Sequence, residues 1–263
     1  MKKSLAFNWR LLAVPLLVFL ALPILTLLLR TSPERVAASL QQEQVVQAIS
    51  ISFKTTLISL VFTILFGTPV AYLMGRRKFR FKSILDALID LPTLLPPSVA
   101  GLVLLLAFGR RGPLGSLLEM AGLQVVFTPA AVVLVQVFIA APFFIRASAL
   151  GFANVDLEVI QAAQLDGASR WQSFQYVILP LSRRALVSGA MMSWARALGE
   201  FGATMIFAGN FPGRTQTMTT AIYLGFEKNL ESALTLSVIL VIVSFLSLLF
   251  IKILIAFESE RVI

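Results

Sequence analysis

Polar residues interrupt this chain at long intervals instead of alternating with apolar ones. Six apolar stretches stand between the interruptions, at 11–29, 55–74, 91–108, 120–145, 185–211 and 232–251. Each is close to the roughly 20 apolar residues that carry a helix across a bilayer core of about 30 Å. The pattern predicts an all-α polytopic membrane protein with six transmembrane helices in one domain, 1–263. The first stretch follows two lysines, as a secretion signal would, but its 19 uncharged residues exceed the usual 7–15 of a signal core and no small-residue cleavage site follows. It is expected to be a retained span.

One segment, 154–180, is neither apolar enough to enter a bilayer nor loose enough to be a linker. It reads as two short helices outside the membrane. Asn154 is placed to cap the first, with Asp156 and Glu158 in its first turn, where negative charge meets the positive end of the helix dipole. Gly167 falls where a helix C-terminus favours a residue that tolerates positive φ. Ser169 and Gln172 have the spacing of a capping box. Pro180 is expected to end the second helix or set the entry angle of the next.

Composition sharpens this picture. The chain is 58% hydrophobic and 13% charged, with a mean hydropathy of +0.88, against roughly 45–50% apolar and 25% charged in a soluble domain. It has no cysteine and no histidine, which excludes disulfide frameworks, Cys/His metal sites and histidine acid–base chemistry. The net charge of +9 could suggest nucleic acid, but its distribution accounts for it otherwise. Lys2, Lys3, Arg10, Arg76, Arg77, Lys78, Arg80, Lys82, Arg146, Arg170, Arg183, Arg184, Lys252 and Arg261 fall in one set of loops. Arg30, Arg35, Arg110, Arg111, Arg214 and Lys228 fall in the other. Fourteen against six puts both termini and the 154–180 segment in the cytoplasm by the positive-inside rule. Lys54 and Arg196 lie at the edge of, or inside, spans. No nucleic-acid partner is implied; membrane lipid is.

Candidate chemistry is sparse. Asp86 and Asp90 are four apart and share a helix face, and Pro92, Pro96 and Pro97 break regular helix just after them. Irregular backbone at membrane depth survives only when buried in protein or lining a water-filled cavity, so this region reads either as a gate or as a kinked, packed helix. In the fifth span Arg196 and Glu200 are also four apart. Charges inside a span face the bundle interior or a cavity and have a partner; these two can pair, either along a path or as a purely structural unit. Gly189, Ala190, Ser193, Ala197, Gly202 and Ala203 allow close helix packing. Neither a catalytic constellation nor a metal-ligand set is present, no cofactor is implied, and there is no G-x-x-x-x-G-K-[ST] phosphate loop. If a nucleotide powers transport, another subunit binds it.

From Gln161 the segment reads Q-A-A-x3-G-x9-V-x-L-P, through Gln161, Ala162, Ala163, Gly167, Val177, Leu179 and Pro180. This resembles the E-A-A-x3-G-x9-I-x-L-P motif of ABC importer permeases, with Gln161 for Glu and Val177 for Ile. The stretch SWARALGEFGATMIFAGNFPGRTQTMTTA, 193–221, is similar to the fifth span and following outer loop of molybdate permeases of the ModB type, and more distantly to sulfate/thiosulfate permeases. The resemblance implies a MetI-like, type I importer permease fold with a cytosolic coupling helix, and a non-enzymatic subunit in a prokaryotic plasma (inner) membrane. It also implies a homodimer with two ATPase subunits on the cytosolic side, an extracytoplasmic oxoanion-binding protein, and molybdate or tungstate as substrate with sulfate second. On it, Gln161, Ala162, Ala163, Asp166, Gly167, Val177, Leu179 and Pro180 belong to the ATPase-coupling loop.

A moving dianion must bind weakly enough to leave, so neutral donors suit its path: Thr93, Ser98, Ser193 and Thr204 are the candidates, beside Arg196 and Glu200. Two other classes stand against this reading. An autonomous secondary transporter would show inverted halves, and no internal repeat is visible. An integral-membrane enzyme would need clustered carboxylates or nucleophiles at one membrane face.

Overall fold

The computed structural model describes residues 2–259, with side chains described from Leu12 to Phe250 and at Lys252 and Ile253. Arg261 and the side chains of Lys2, Lys3 and Arg10, counted above, lie outside the described residues. The fold is helical throughout that range: α1 (Lys2–Arg30), α2 (Pro33–Ser39), α3 (Glu43–Arg76), α4 (Lys82–Leu94), α5 (Pro97–Phe108), α6 (Pro113–Met120) and α7 (Pro129–Ala153). They are followed by α8 (Leu157–Leu165), α9 (Arg170–Ser173), a π turn (Phe174–Ile178), α10 (Leu179–Leu181), α11 (Arg183–Leu198), α12 (Gly202–Phe207), α13 (Met218–Lys228) and α14 (Leu230–Ser259).

Four of these helices are long and apolar enough to cross a membrane among the described residues, or five if the bent pair α4–α5 counts as one span. Stretches 11–29, 55–74 and 232–251 lie inside single helices, as expected. The other three do not. The third is broken: the chain bends by 116° between α4 and α5. The cause is Pro96 followed by Pro97, each of which forces the residue before it into extended backbone; ψ is 135° at Leu95 and 138° at Pro96. Pro92, by contrast, sits within α4 and breaks nothing. The fourth helix begins at Pro129, not near 120, because α6 closes at Met120 and Gly122 takes φ +72°. The fifth stretch is α11 and α12 separated by Gly199–Phe201.

α7 is the central post. It packs along α3 and α11, and its buried face carries Val132, Val135, Ile139 and Phe144. Small residues set the separations. Gly189 on α11 lies over Ala147 and the backbone of Phe144, where an added β-carbon would come within 2.9 Å of the Ala147 side chain. Gly67 on α3 lies against the Phe144 ring at 2.9 Å in the same sense. Hydroxyl and amide groups fasten the bundle where apolar contact alone would leave helices free to slide. Gln136 donates to Thr55 (3.1 Å), Trp194 Nε1 donates to Thr56 (3.1 Å), and the backbone N–H of Met218 donates to Ser52 (2.7 Å). α1 stands apart, with its described side chains exposed and only slight contact with α14.

Candidate functional site

Two regions carry the residues singled out by the sequence: the α8–α9 hairpin, and the breaks around α5 and α12.

The hairpin starts two residues later than expected. Asn154 closes α7, with φ −79° and ψ −6°, and Asp156 is the residue preceding α8, without a side-chain capping bond. α7 simply runs on to Ala153, since nothing before that point stops a helix. At the other end the turn is fully built. Gly167 has φ +92°; its N–H donates to the Gln164 carbonyl (3.1 Å), and the Ala168 N–H donates to Ala163 (3.0 Å). These are the two bonds of a Schellman motif, which requires a residue at ease with left-handed backbone at that one place. The capping box follows as expected: the Ser169 N–H donates to Gln172 Oε1 (2.8 Å) and the Gln172 N–H to Ser169 Oγ (3.2 Å).

Pro180 does not end the second helix. It lacks the N–H that would bond Tyr176, and just before it the helix widens into a π turn in which the Leu179 N–H donates to Phe174. The helix then continues to Leu181, where the Ser182 hydroxyl donates to the Gly151 carbonyl on α7 (3.1 Å). Aromatic rings anchor the base. Phe174 meets Tyr72 of α3 edge-on at 5.2 Å and Phe152 of α7 at 6.0 Å. Arg76 Nη1 donates to the Val155 carbonyl (2.8 Å). Ile160 is buried in the same cluster, with Val177 and Leu179 packed against it.

The eight coupling-loop candidates therefore divide by position. Gln161, Ala162 and Asp166 are exposed on the outer face of the hairpin; Ala163 and Gly167 make the turn; Val177 and Leu179 secure the base and Pro180 shapes the return helix. The sequence reading missed Leu165, which is 88% exposed at the tip, and Trp171, 67% exposed beside it. The available signal was an apolar residue immediately before the turn, on the side opposite Ile160. Large apolar groups held out on a rigid, polar-rimmed projection mark a contact surface.

At the second region α5 and α12 cross with no room to spare. A β-carbon on Gly101 would come within 2.8 Å of the Ala203 carbonyl, and one on Gly202 within 2.7 Å of Pro97. The Arg196–Glu200 pair exists, with Nη1 2.9 Å from Oε2. The Glu200 side chain is 1% exposed and that of Arg196 32%. Glu200 also has a task that spacing alone did not suggest: Oε1 accepts from the Ala203 N–H (2.9 Å), which caps the start of α12, while Thr219 donates to its carbonyl (2.6 Å). Thr204 is fully buried one turn away, and its hydroxyl has no hydrogen-bond partner among the described residues. Ser193 is buried and donates to the Ala140 carbonyl (2.9 Å), binding α11 to α7. Thr93 and Ser98 are exposed on either side of the α4–α5 break, and Thr93 donates to the Asp90 carbonyl (2.7 Å).

Asp86 and Asp90 do share a face, and Arg146 occupies it. Arg146 Nε donates to Asp90 Oδ1 (2.7 Å), Nη2 to the Asp86 carbonyl (3.0 Å), and Nη1 pairs with Asp86. Arg146 is inside α7, not in a loop as the charge count had it. The three residues clamp α4 onto α7. No cluster of potential metal ligands occurs among the described residues.

Residues 67–257 match the family model described as "Binding-protein-dependent transport system inner membrane component". The chain is 39% identical, over 90% of its length and 90% of the relative's, to "Molybdenum transport system permease protein ModB" of Mycobacterium tuberculosis. It is 31% identical, over 89% of its length and 82% of the relative's, to "Probable sulfate transport system permease protein cysT" of Marchantia polymorpha. Its fold matches a chain of the crystal structure of a bacterial alginate ABC transporter in complex with alginate pentasaccharide-bound periplasmic protein. That match has a TM-score of 0.72 at 18% identity, covering 95% of this chain and 94% of that one.

Proposed function

The chain belongs to the family of binding-protein-dependent transport system inner membrane components, and we propose that it forms the membrane path of an ABC importer for molybdate or tungstate. Members of this family are multi-pass permease subunits and not enzymes; ATP hydrolysis resides in a separate subunit.

The observation that carries the mechanism is the α8 hairpin. It is tied to α3 and α7 by hydrogen bonds, rings and a buried isoleucine, yet holds Leu165 out in water. A projection so stiff at its base and so apolar at its tip suits transmission of force from a docked protein. In this reading the hairpin docks, with Gln161, Ala162 and Leu165, in a cleft of a cytosolic ATPase subunit. Two copies of the chain and two ATPase subunits complete the unit, and an extracytoplasmic oxoanion-binding protein delivers the substrate. Both termini and the hairpin then lie in the cytoplasm, and α4–α5 and α11–α12 serve as the third and fifth of six spans.

The substrate path runs past the α5–α12 crossing. Arg196 is neutralised by Glu200, so a dianion meets the exposed hydroxyl of Ser98, joined by Thr93 once it releases the Asp90 carbonyl and by Thr204 once it is uncovered, instead of a fixed cation that would trap it. Selectivity then rests mainly with the binding protein. The choice of molybdate follows the ModB relative; sulfate is the second reading, favoured by the cysT relative.

The test is ATP-dependent uptake into liposomes holding this chain with its ATPase and binding protein, with molybdate, tungstate and sulfate offered side by side. Molybdate and tungstate uptake, abolished by Leu165→Asp without loss of the folded permease, is the expected result. Uptake that persists without an ATPase overturns the coupling reading, and uptake of sulfate alone overturns the substrate.

A further inference from the structure

A polar cavity of about 260 Å³ lies under the α8 hairpin, between it and the end of α3. Tyr72 and Arg76 of α3, Arg77 just after it, Gln164 of α8, and Arg170 and Ser173 of α9 line it. Three arginines line it, and no carboxylate is among the lining residues. Arg76 is oriented by its bonds from Nη1 to the carbonyls of Val155 (2.8 Å) and Phe152 (3.4 Å), which leaves the rest of its fork available. Arg77 and Arg170 are exposed and make no ion pair among the described residues. Like charges crowded around one hollow repel, and an anion in the hollow removes that cost. The planar fork of arginine matches the oxygens of a phosphoryl group two at a time, and such charge-assisted bonds are about twice as strong as neutral ones.

Position narrows the source of the anion. The apolar run of α3 ends in the turn that carries Arg76 and Arg77, so the cavity sits at headgroup depth, with Tyr72 where interfacial tyrosines collect. Basic pockets between helices at this level hold anionic headgroups. The cavity also opens on the inner face of the hairpin. Leu157, Ile160 and Gln164, at helical spacing, look into it, whereas Gln161, Ala162 and Leu165 point the other way, toward any docked protein. We propose that the cavity binds a phosphoryl anion, either the headgroup of an anionic phospholipid or free phosphate, and that the bound group fastens α3 to α8 and α9. This site does not depend on which substrate the chain transports.

The experiment uses the full chain, delipidated in neutral detergent. Native mass spectrometry would compare phosphatidylglycerol with phosphatidylcholine, and thermal unfolding would compare inorganic phosphate with chloride at equal ionic strength. Phosphatidylglycerol is expected to bind about tenfold more tightly than phosphatidylcholine. Arg77→Gln/Arg170→Gln should erase that about tenfold preference, and Arg110→Gln/Arg111→Gln, in the other set of loops, should keep it. Both altered arginines are exposed, and the melting curve in chloride reports that the fold survives. A rise in melting temperature with phosphate, and displacement of lipid by it, identifies free phosphate as the ligand. A lipid preference without a phosphate response identifies the headgroup. Equal binding of the two lipids with no phosphate response overturns the proposal, as does a double variant that binds like the native chain or a control pair that loses as much. A double variant impaired only in retaining a cytosolic protein partner also overturns it, and makes the arginines a protein contact.

Discussion

Replacing Glu200 by Ala removes two things at once. Arg196 loses its counter-charge in the last turn of α11, and the Ala203 N–H at the start of α12 loses its acceptor. Breaking a buried pair by deleting one partner costs about 3–5 kcal/mol. Arg196 is a third exposed and can turn toward water, so the charge term here falls to about half of that, near 2 kcal/mol. Loss of the capping acceptor adds about 1 kcal/mol. Glu200→Ala should therefore destabilise the chain by about 3 kcal/mol. Glu200→Gln keeps an acceptor for Ala203 and should cost about 1 kcal/mol less than that. Arg196→Met with Glu200→Gln leaves no orphan charge and should recover most of the loss, giving a coupling of about 1.5–2 kcal/mol between the two positions. Equilibrium unfolding of the single and double variants in mixed micelles measures the cycle. Coupling below about 0.5 kcal/mol, the level at which separate sites add, would refute the assignment of a mutually neutralising pair. Uptake by the double variant then separates structure from transport, since a structural pair leaves transport largely intact once the fold is restored.

Two further predictions concern the α4 clamp and the hairpin. Asp90→Asn should cost about 1 kcal/mol, since both carboxylates of the clamp are nearly half exposed and Arg146 more than a third; proteolysis confined to the α4–α5 bend would report local loosening, and an unchanged cleavage pattern would argue that other contacts hold α4. At Gly167, where φ is +92° and no neighbouring atom lies within 4 Å of an added β-carbon, Ala should cost about 1–2 kcal/mol through backbone strain alone. The tip is expected to fray in hydrogen exchange while the base, with Ile160, stays protected; uniform protection would mean that the Schellman turn is not what holds the tip.

What could be read from the sequence was mostly what is local. Gly167, the Ser169–Gln172 box and the Arg196–Glu200 pair are each set by neighbours within four residues, and each formed as expected. The start of the hairpin slipped by two residues because nothing before 153 stops helix α7, so Asn154 closes that helix and Asp156 precedes the next. The bend in the third stretch was placed correctly but attributed in part to Pro92, which sits inside α4 without breaking it, when the Pro96–Pro97 pair decides it. Arg146 was taken for a loop cation; its true setting depends on carboxylates 56 and 60 residues away, a distance no periodicity covers. Leu165 escaped notice because exposure, unlike hydrophobicity, is a property of the folded hairpin.

The crossing of α5 and α12 has a mechanical meaning. With Gly101 pressed on Ala203 and Gly202 on Pro97, the two helices lie too close to admit even a methyl group between them. The two short helices therefore behave as a single tile. Its freedom lies at its edges, in the extended Leu95–Pro96 link and in Gly199–Phe201. An opening of the bundle that keeps this crossing intact would tilt that tile on those two links, and Glu200 stands in one of them.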